Sequence, residues 1–154
     1  MEANLTSENL KYYHSKVYSL YALPKFRQVA SGILIGVKKE LAANFRIIKA
    51  MATDCDKSEV VHLDVWKSRV LFKILAIYNL PCNSPDFSYV NHCKHTIFVG
   101  DFNAYFPKWG YSNTNESGGR VQNFLSSSIF ELVYNKEDPT LIYITMAEAL
   151  SWIY

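Results

Sequence analysis

The sequence predicts an α/β or α+β domain built on a mixed sheet, and three observations carry that expectation. Runs of β-branched and aromatic residues recur along the chain, several alternating apolar with polar positions in the manner of half-buried strands. One stretch near residue 120 instead places apolar residues at helical spacing. The length of 154 residues, with 49% hydrophobic and 19% charged positions, is that of one globular domain, 1–154, with a real core.

Taken in order, Leu10 to Tyr21 is Tyr-rich and weakly amphipathic, and its state stays open. Gly32 to Val37 reads as a short buried strand. Val61 to Trp66 alternates, and Lys67-Ser68 can turn the chain into the long apolar run Val70 to Tyr78, giving an antiparallel hairpin. Asn79 to Asp86 holds two prolines and reads as a loop. A strand over Thr96 to Gly100 follows, then an irregular segment to Gly119. Ser117-Gly118-Gly119 offers a helix start, with Val121, Phe124 and Leu125 recurring on one face through Ser128. Ile129 to Tyr134 and Thr140 to Thr145 flank a polar turn and read as two more strands. No internal repeat or low-complexity linker is visible.

Chemistry concentrates at Thr96-Ile97-Phe98-Val99-Gly100-Asp101-Phe102-Asn103-Ala104. A strand-type run ends at Gly100, and a carboxylate and a carboxamide follow two residues apart. In extended backbone such positions share a side, which predicts Asp101 and Asn103 presenting their oxygens together at a strand end. Hard oxygen donors there suit a hydrated Mg²⁺ and a phosphate.

Other features bound the function. The net charge is +2, but residues 1–50 carry eight Lys/Arg against three Glu, while residues 101–154 carry three against six acids. A basic N-terminal third favours a polyanionic partner; solvated surface lysines are the plain alternative. Three cysteines in no framework spacing suggest a reduced, intracellular chain. Cys82, His92, Cys93 and His95 lie close in sequence, yet their spacing fits no paired zinc pattern. Asn4-Leu5-Thr6 and Asn115-Glu116-Ser117 match a glycosylation sequon that is frequent by chance. No basic-then-apolar leader opens the chain and no apolar run reaches membrane-spanning length, so a soluble protein without a membrane partner is expected.

The block Gly100-Asp101-Phe102-Asn103-Ala104 followed by Pro107-Lys108-Trp109-Gly110 resembles the signature of the endonuclease/exonuclease/phosphatase superfamily. It most resembles the endonuclease domain of jockey-type non-LTR retrotransposons. Gly118-Gly119-Arg120 with Asn123-Phe124-Leu125, Pro139-Thr140, Ser31 to Ile35, and Ile77-Tyr78-Asn79-Leu80-Pro81 are similar to further steps of that family. The resemblance covers nearly the whole chain, and its specific part is the Asp-Phe-Asn block with Trp109-Gly110.

The resemblance implies a four-layer α/β sandwich, incomplete at both ends, that nicks DNA by hydrolysing phosphodiesters with Mg²⁺ or Mn²⁺. It carries metal binding onto Asp101 and Asn103, and onto Glu2 if Met1-Glu2-Ala3 is a remnant of the family's Gln-Glu-Thr motif. A frayed terminus is the other reading of Glu2. Asp101 and Asn103 would also be catalytic, and Tyr78 would donate a hydrogen bond to the scissile phosphate, unless it is simply a strand-end tyrosine in the core. The family's closing Ser-Asp-His motif, which activates water, has no match in this sequence, so impaired activity is expected. The alternative is a non-catalytic remnant that keeps some affinity for nucleic acid. Nuclear residence would follow for a retrotransposon protein, and no obligate protein partner is evident.

Overall fold

The computed structural model describes residues 6–25, 31–51, 58–81, 83–89, 94–135 and 138–146. Its centre is a long hairpin, β4 (Ser58–Lys67) and β5 (Val70–Asn79), paired antiparallel from Ser58↔Asn79 to Lys67↔Val70. The turn falls one residue later than the sequence pattern places it. Ser68 and Arg69 both take positive φ, 51° and 67°, the twist a two-residue hairpin turn needs. Neither is glycine, so the turn stores local strain that the flanking pairs hold in place.

Strand β6 (Thr96–Asp101) lies parallel to β5, in register from Lys73↔Thr96 to Tyr78↔Asp101. A parallel pair needs a crossover connection, usually a helix. Here residues 80–95 make it, and the described part of that stretch holds no helix. Strand β8 (Asp138–Met146) runs antiparallel to β6, and β7 (Phe130–Asn135) antiparallel to β8. On the other side β3 (Ala42–Lys49) pairs with β4, completing the order β3-β4-β5-β6-β8-β7. Strand β3 is absent from the sequence reading. It is an edge strand whose Ala43 and Phe45 pack toward the core while Ile47 and Ile48 are exposed.

A second sheet, β1 (Tyr18–Leu23) with β2 (Ile33–Lys38), packs on one face of the first. Leu23, Ile33, Val61, Ala76 and Tyr78 form one contact cluster, and Val37, Leu63 and Val65 another. The open stretch Leu10–Tyr21 thus divides between a four-residue helix, α1 (Ser7–Leu10), a linking segment and the start of β1.

The opposite face is covered by α2 (Glu116–Ser127). There Val60, Leu75, Ile77, Phe98, Phe102, Trp109, Val121 and Phe130 are buried together. Phe87 stacks on Phe124 at 4.2 Å, and Phe98 meets Phe124 and Phe130 edge-on, the geometry favoured by ring quadrupoles. Helix, large sheet and small sheet make an α/β sandwich, as expected. No helix among the described residues is long and apolar enough to cross a membrane.

Candidate active site at the β5–β6 rim

Because β5 and β6 are parallel, both end at the same rim. Glu59 on β4, Tyr78 on β5 and Asp101 on β6 are register partners in a row. Laterally paired residues share a face and sit about 4.8 Å apart from strand to strand. The row therefore faces the small sheet. A cavity of about 240 Å³ opens there between β2, β5 and β6, lined by Ile33, Ile35, Ala76, Tyr78, Val99 and Asp101 among others. Gly100 makes this approach possible: its φ is +142°, and a Cβ on it would stand 1.9 Å from the Ile77 carbonyl oxygen.

Asp101 and Asn103 come together by a route other than the extended spacing predicts. Asn103 leaves the strand with φ +44°, a left-handed conformation that asparagine tolerates better than most residues. Its backbone N–H donates to Asp101 Oδ1 at 2.9 Å. Its side-chain Nδ2 donates to the Asn79 carbonyl oxygen at 2.6 Å. The pair is joined by a local turn, not by strand periodicity.

The loop beyond is pinned to α2. Asn115 caps the helix: its Oδ1 accepts from the N–H groups of Gly118 at 2.8 Å and Tyr105 at 2.9 Å, and its Nδ2 donates to the Asn103 carbonyl at 2.7 Å. The Ser117 hydroxyl donates to the Phe102 carbonyl at 2.7 Å. Buried Asn79 donates through Nδ2 to the Asn83 carbonyl at 2.7 Å and the Phe102 carbonyl at 3.3 Å. A Cβ on Gly118 would stand 1.9 Å from the Tyr105 carbonyl oxygen, so only glycine lets helix and loop close this tightly. The sequence reading gives Asn79, Asn115 and Ser117 no part in the site, because their partners here are mostly backbone atoms that only the fold brings near. The helix starts at Glu116 with Asn115 as its cap, one residue before the Ser117 start read from sequence.

Two oxygens stay free of these bonds. Among the described residues, Asp101 Oδ2 and Asn103 Oδ1 take no hydrogen bond. Tyr78 is 5% exposed, with its ring in the core and its side chain on the cavity wall. Glu59 is 1% exposed, and its Oε2 accepts the Gly32 N–H at 2.7 Å. Burial pushes the Glu59 carboxyl above its ordinary value, and the Gly32 bond opposes that only in part. Glu59 precedes the Val61–Trp66 strand read from the sequence, and only the register shows it beside Tyr78.

Glu2 lies outside the described residues, as do Cys82, His92 and Cys93. None of the described histidines stands at the rim. His62 is on the opposite face of β4, His95 precedes β6 at its far end, and His14 lies between α1 and β1. No group of three or more His, Cys, Asp or Glu side chains among the described residues could by itself hold a metal ion. The donors that are present still suit Mg²⁺, which takes hard oxygens from one or two carboxylates and keeps several waters. Asp101 Oδ2 and Asn103 Oδ1 are such donors, and Asp101 lines the cavity.

No family model and no curated protein matches this chain. A solved structure does: the endonuclease domain of TRAS1, a telomere-specific non-LTR retrotransposon. It matches with a TM-score of 0.58 at 15% sequence identity, over 85% of this chain and 67% of that one. At that identity the likeness is one of fold, and the chain shares the fold of a retrotransposon endonuclease.

Proposed function

We propose that this chain is a metal-dependent phosphodiesterase domain of retrotransposon origin whose substrate is DNA. The observation that supports it most is the Asp101–Asn103 turn, fixed at the rim beside Tyr78 with one oxygen free on each side chain. The fold shared with a retrotransposon endonuclease places this reading ahead of other Mg²⁺ chemistry.

Asp101 and Asn103, with Glu2 as a second carboxylate, would hold Mg²⁺ or Mn²⁺. Such an ion would supply charge neutralisation at a non-bridging phosphate oxygen and at the leaving oxygen. Asn79 and Asn115 act as positioning residues, because they hold the backbone around Asn103. The Tyr78 hydroxyl donates to the phosphate. Water activation falls to a group outside the described residues, since no described histidine reaches the rim.

That last point favours a second reading, a non-catalytic domain that retains affinity for nucleic acid. The two separate in a plasmid-nicking assay with Mg²⁺. A general base contributes roughly 10²–10⁴ in rate, so nicking slower than that of a version carrying a Ser-Asp-His segment is expected from residues 1–154. A version extended with a Ser-Asp-His segment is expected to nick readily. Loss of the residual nicking in Asp101→Ala and Asn103→Ala supports the catalytic reading. No nicking in the extended version, with binding of a DNA duplex intact, supports the second.

A further inference from the structure

The large sheet carries another polar site on the face turned away from Asp101. Arg46 on β3 is the register partner of His62 on β4, and Asp64 on β4 is the partner of Lys73 on β5. Arg46 Nη2 donates to Asp64 Oδ2 at 2.9 Å and lies 3.0 Å from His62 Nδ1. A guanidinium can only donate, so Nδ1 is the acceptor and the ring proton sits on Nε2. That nitrogen is 3.0 Å from Asp64 Oδ1, an ion-pair distance without hydrogen-bond alignment. Asp64 is therefore shared between Arg46 and a neutral imidazole. Lys73 is left over: its ammonium makes no hydrogen bond or ion pair among the described residues.

Beside these groups lies a cavity of about 240 Å³, lined by Arg46, Ile48, His62, Lys73, Leu75 and Tyr89. Tyr89, from the described part of the connection between β5 and β6, supplies a further wall. Two cations meet one carboxylate here, and that carboxylate is already bonded. At the margin Lys49 acts on Asp86, whose carboxyl is held low chiefly by the Ser88 N–H, so this second pair adds no net charge.

We propose that this cavity is an oxyanion site that takes a phosphate group. Lys73 supplies a free ammonium, and Arg46 supplies the guanidinium N–H groups not committed to Asp64. Such cations are the strong partners of phosphate oxygens, and Ile48 and Leu75 give the wall that strengthens the contact by excluding water. The phosphate can belong to a nucleic-acid backbone or to a small molecule. The site is separate from the rim, so it stands or falls independently of the function proposed above.

His62 serves as the reporter. Burial lowers its pKa most, Asp64 raises it, and Arg46 and Lys73 lower it further. A phosphate between the two cations cancels their effect and raises it. We expect inorganic phosphate, added to the whole chain at fixed ionic strength, to shift the His62 Cε1–H resonance and move its titration to higher pH. Lys73→Gln is expected to weaken this binding roughly tenfold, the loss of a charge-assisted hydrogen bond. Lys73→Arg is expected to retain it, and Lys67→Gln, at the far end of β4, to leave it unchanged. If a short DNA duplex shifts the same resonance at lower concentration than phosphate, the nucleic-acid backbone is the source; if phosphate alone shifts it, a small molecule is. A His62 signal unmoved by phosphate, or a response that Lys73→Gln leaves intact, overturns the proposal.

Discussion

Strand β4 presents a buried and a partly buried ionisable group, Glu59 and His62, to opposite faces of one sheet, and the two are held in unlike ways. Glu59 faces the small sheet with a backbone N–H as its hydrogen-bond partner. His62 belongs to a side-chain cluster in which Arg46 and Asp64 engage one another around it. The difference extends to the sites beside them. At the rim, asparagines and serines hold backbone atoms and leave side-chain oxygens of Asp101 and Asn103 open. On the other face the side chains bond to one another, and among the described residues Lys73 and the remaining N–H groups of Arg46 are left spare. A site that is to accept hard ligands is better built on backbone partners.

The largest test of that contrast is Gly100→Ala. A methyl group 1.9 Å from a backbone oxygen cannot be accommodated in place, so β6 must separate from β5. We expect a loss of roughly 4 kcal/mol or more, in the exceptional class for single substitutions, measured by urea denaturation. A loss under about 1 kcal/mol would mean that the rim does not depend on this approach.

Asn115→Ala comes next. Removing a helix cap costs about 0.5–2 kcal/mol, and here the same side chain also serves Tyr105 and Asn103. A loss at the upper end of that range is expected, together with faster amide exchange at Tyr105. Equal exchange in both proteins would show that the loop holds without the cap.

The smallest effect is in pH, and the two faces oppose each other. The folded chain keeps the Glu59 proton to a higher pH than the unfolded chain does. Stability from this group is therefore present below its ordinary value near 4.5 and declines as pH rises through the raised folded value, by at most about 1.4 kcal/mol per pH unit. His62 is lowered, so its contribution is present above 6.5 and is lost as pH falls toward the folded value. Glu59→Gln should flatten the first slope and His62→Gln the second, in denaturant midpoints followed across pH. A Glu59→Gln protein with an unchanged profile would remove the carboxyl from the account.

Much of this was legible in sequence because burial writes itself into strand composition. The hairpin of β4 and β5, the strand β6 and helix α2 all stand near the positions their apolar patterns predict. Strand β3 left little trace, because its inward side is only Ala43 and Phe45 while its isoleucines are exposed beside a register shift. Asp101 and Asn103 were visible through the Gly-Asp-Phe-Asn block, yet the turn that joins them depends on a left-handed Asn103 that no periodicity encodes. Glu59, Asn79 and Asn115 gain meaning only from register and close approach, which are properties of pairs far apart in the chain.

The loop 101–105 is tied to β5 and α2 by Asp101, Asn79, Asn115 and Ser117 before any ligand arrives. Such a loop has little conformational freedom left to surrender on binding. Whatever ligand reaches this rim meets a preset shape, with its polar groups already aimed.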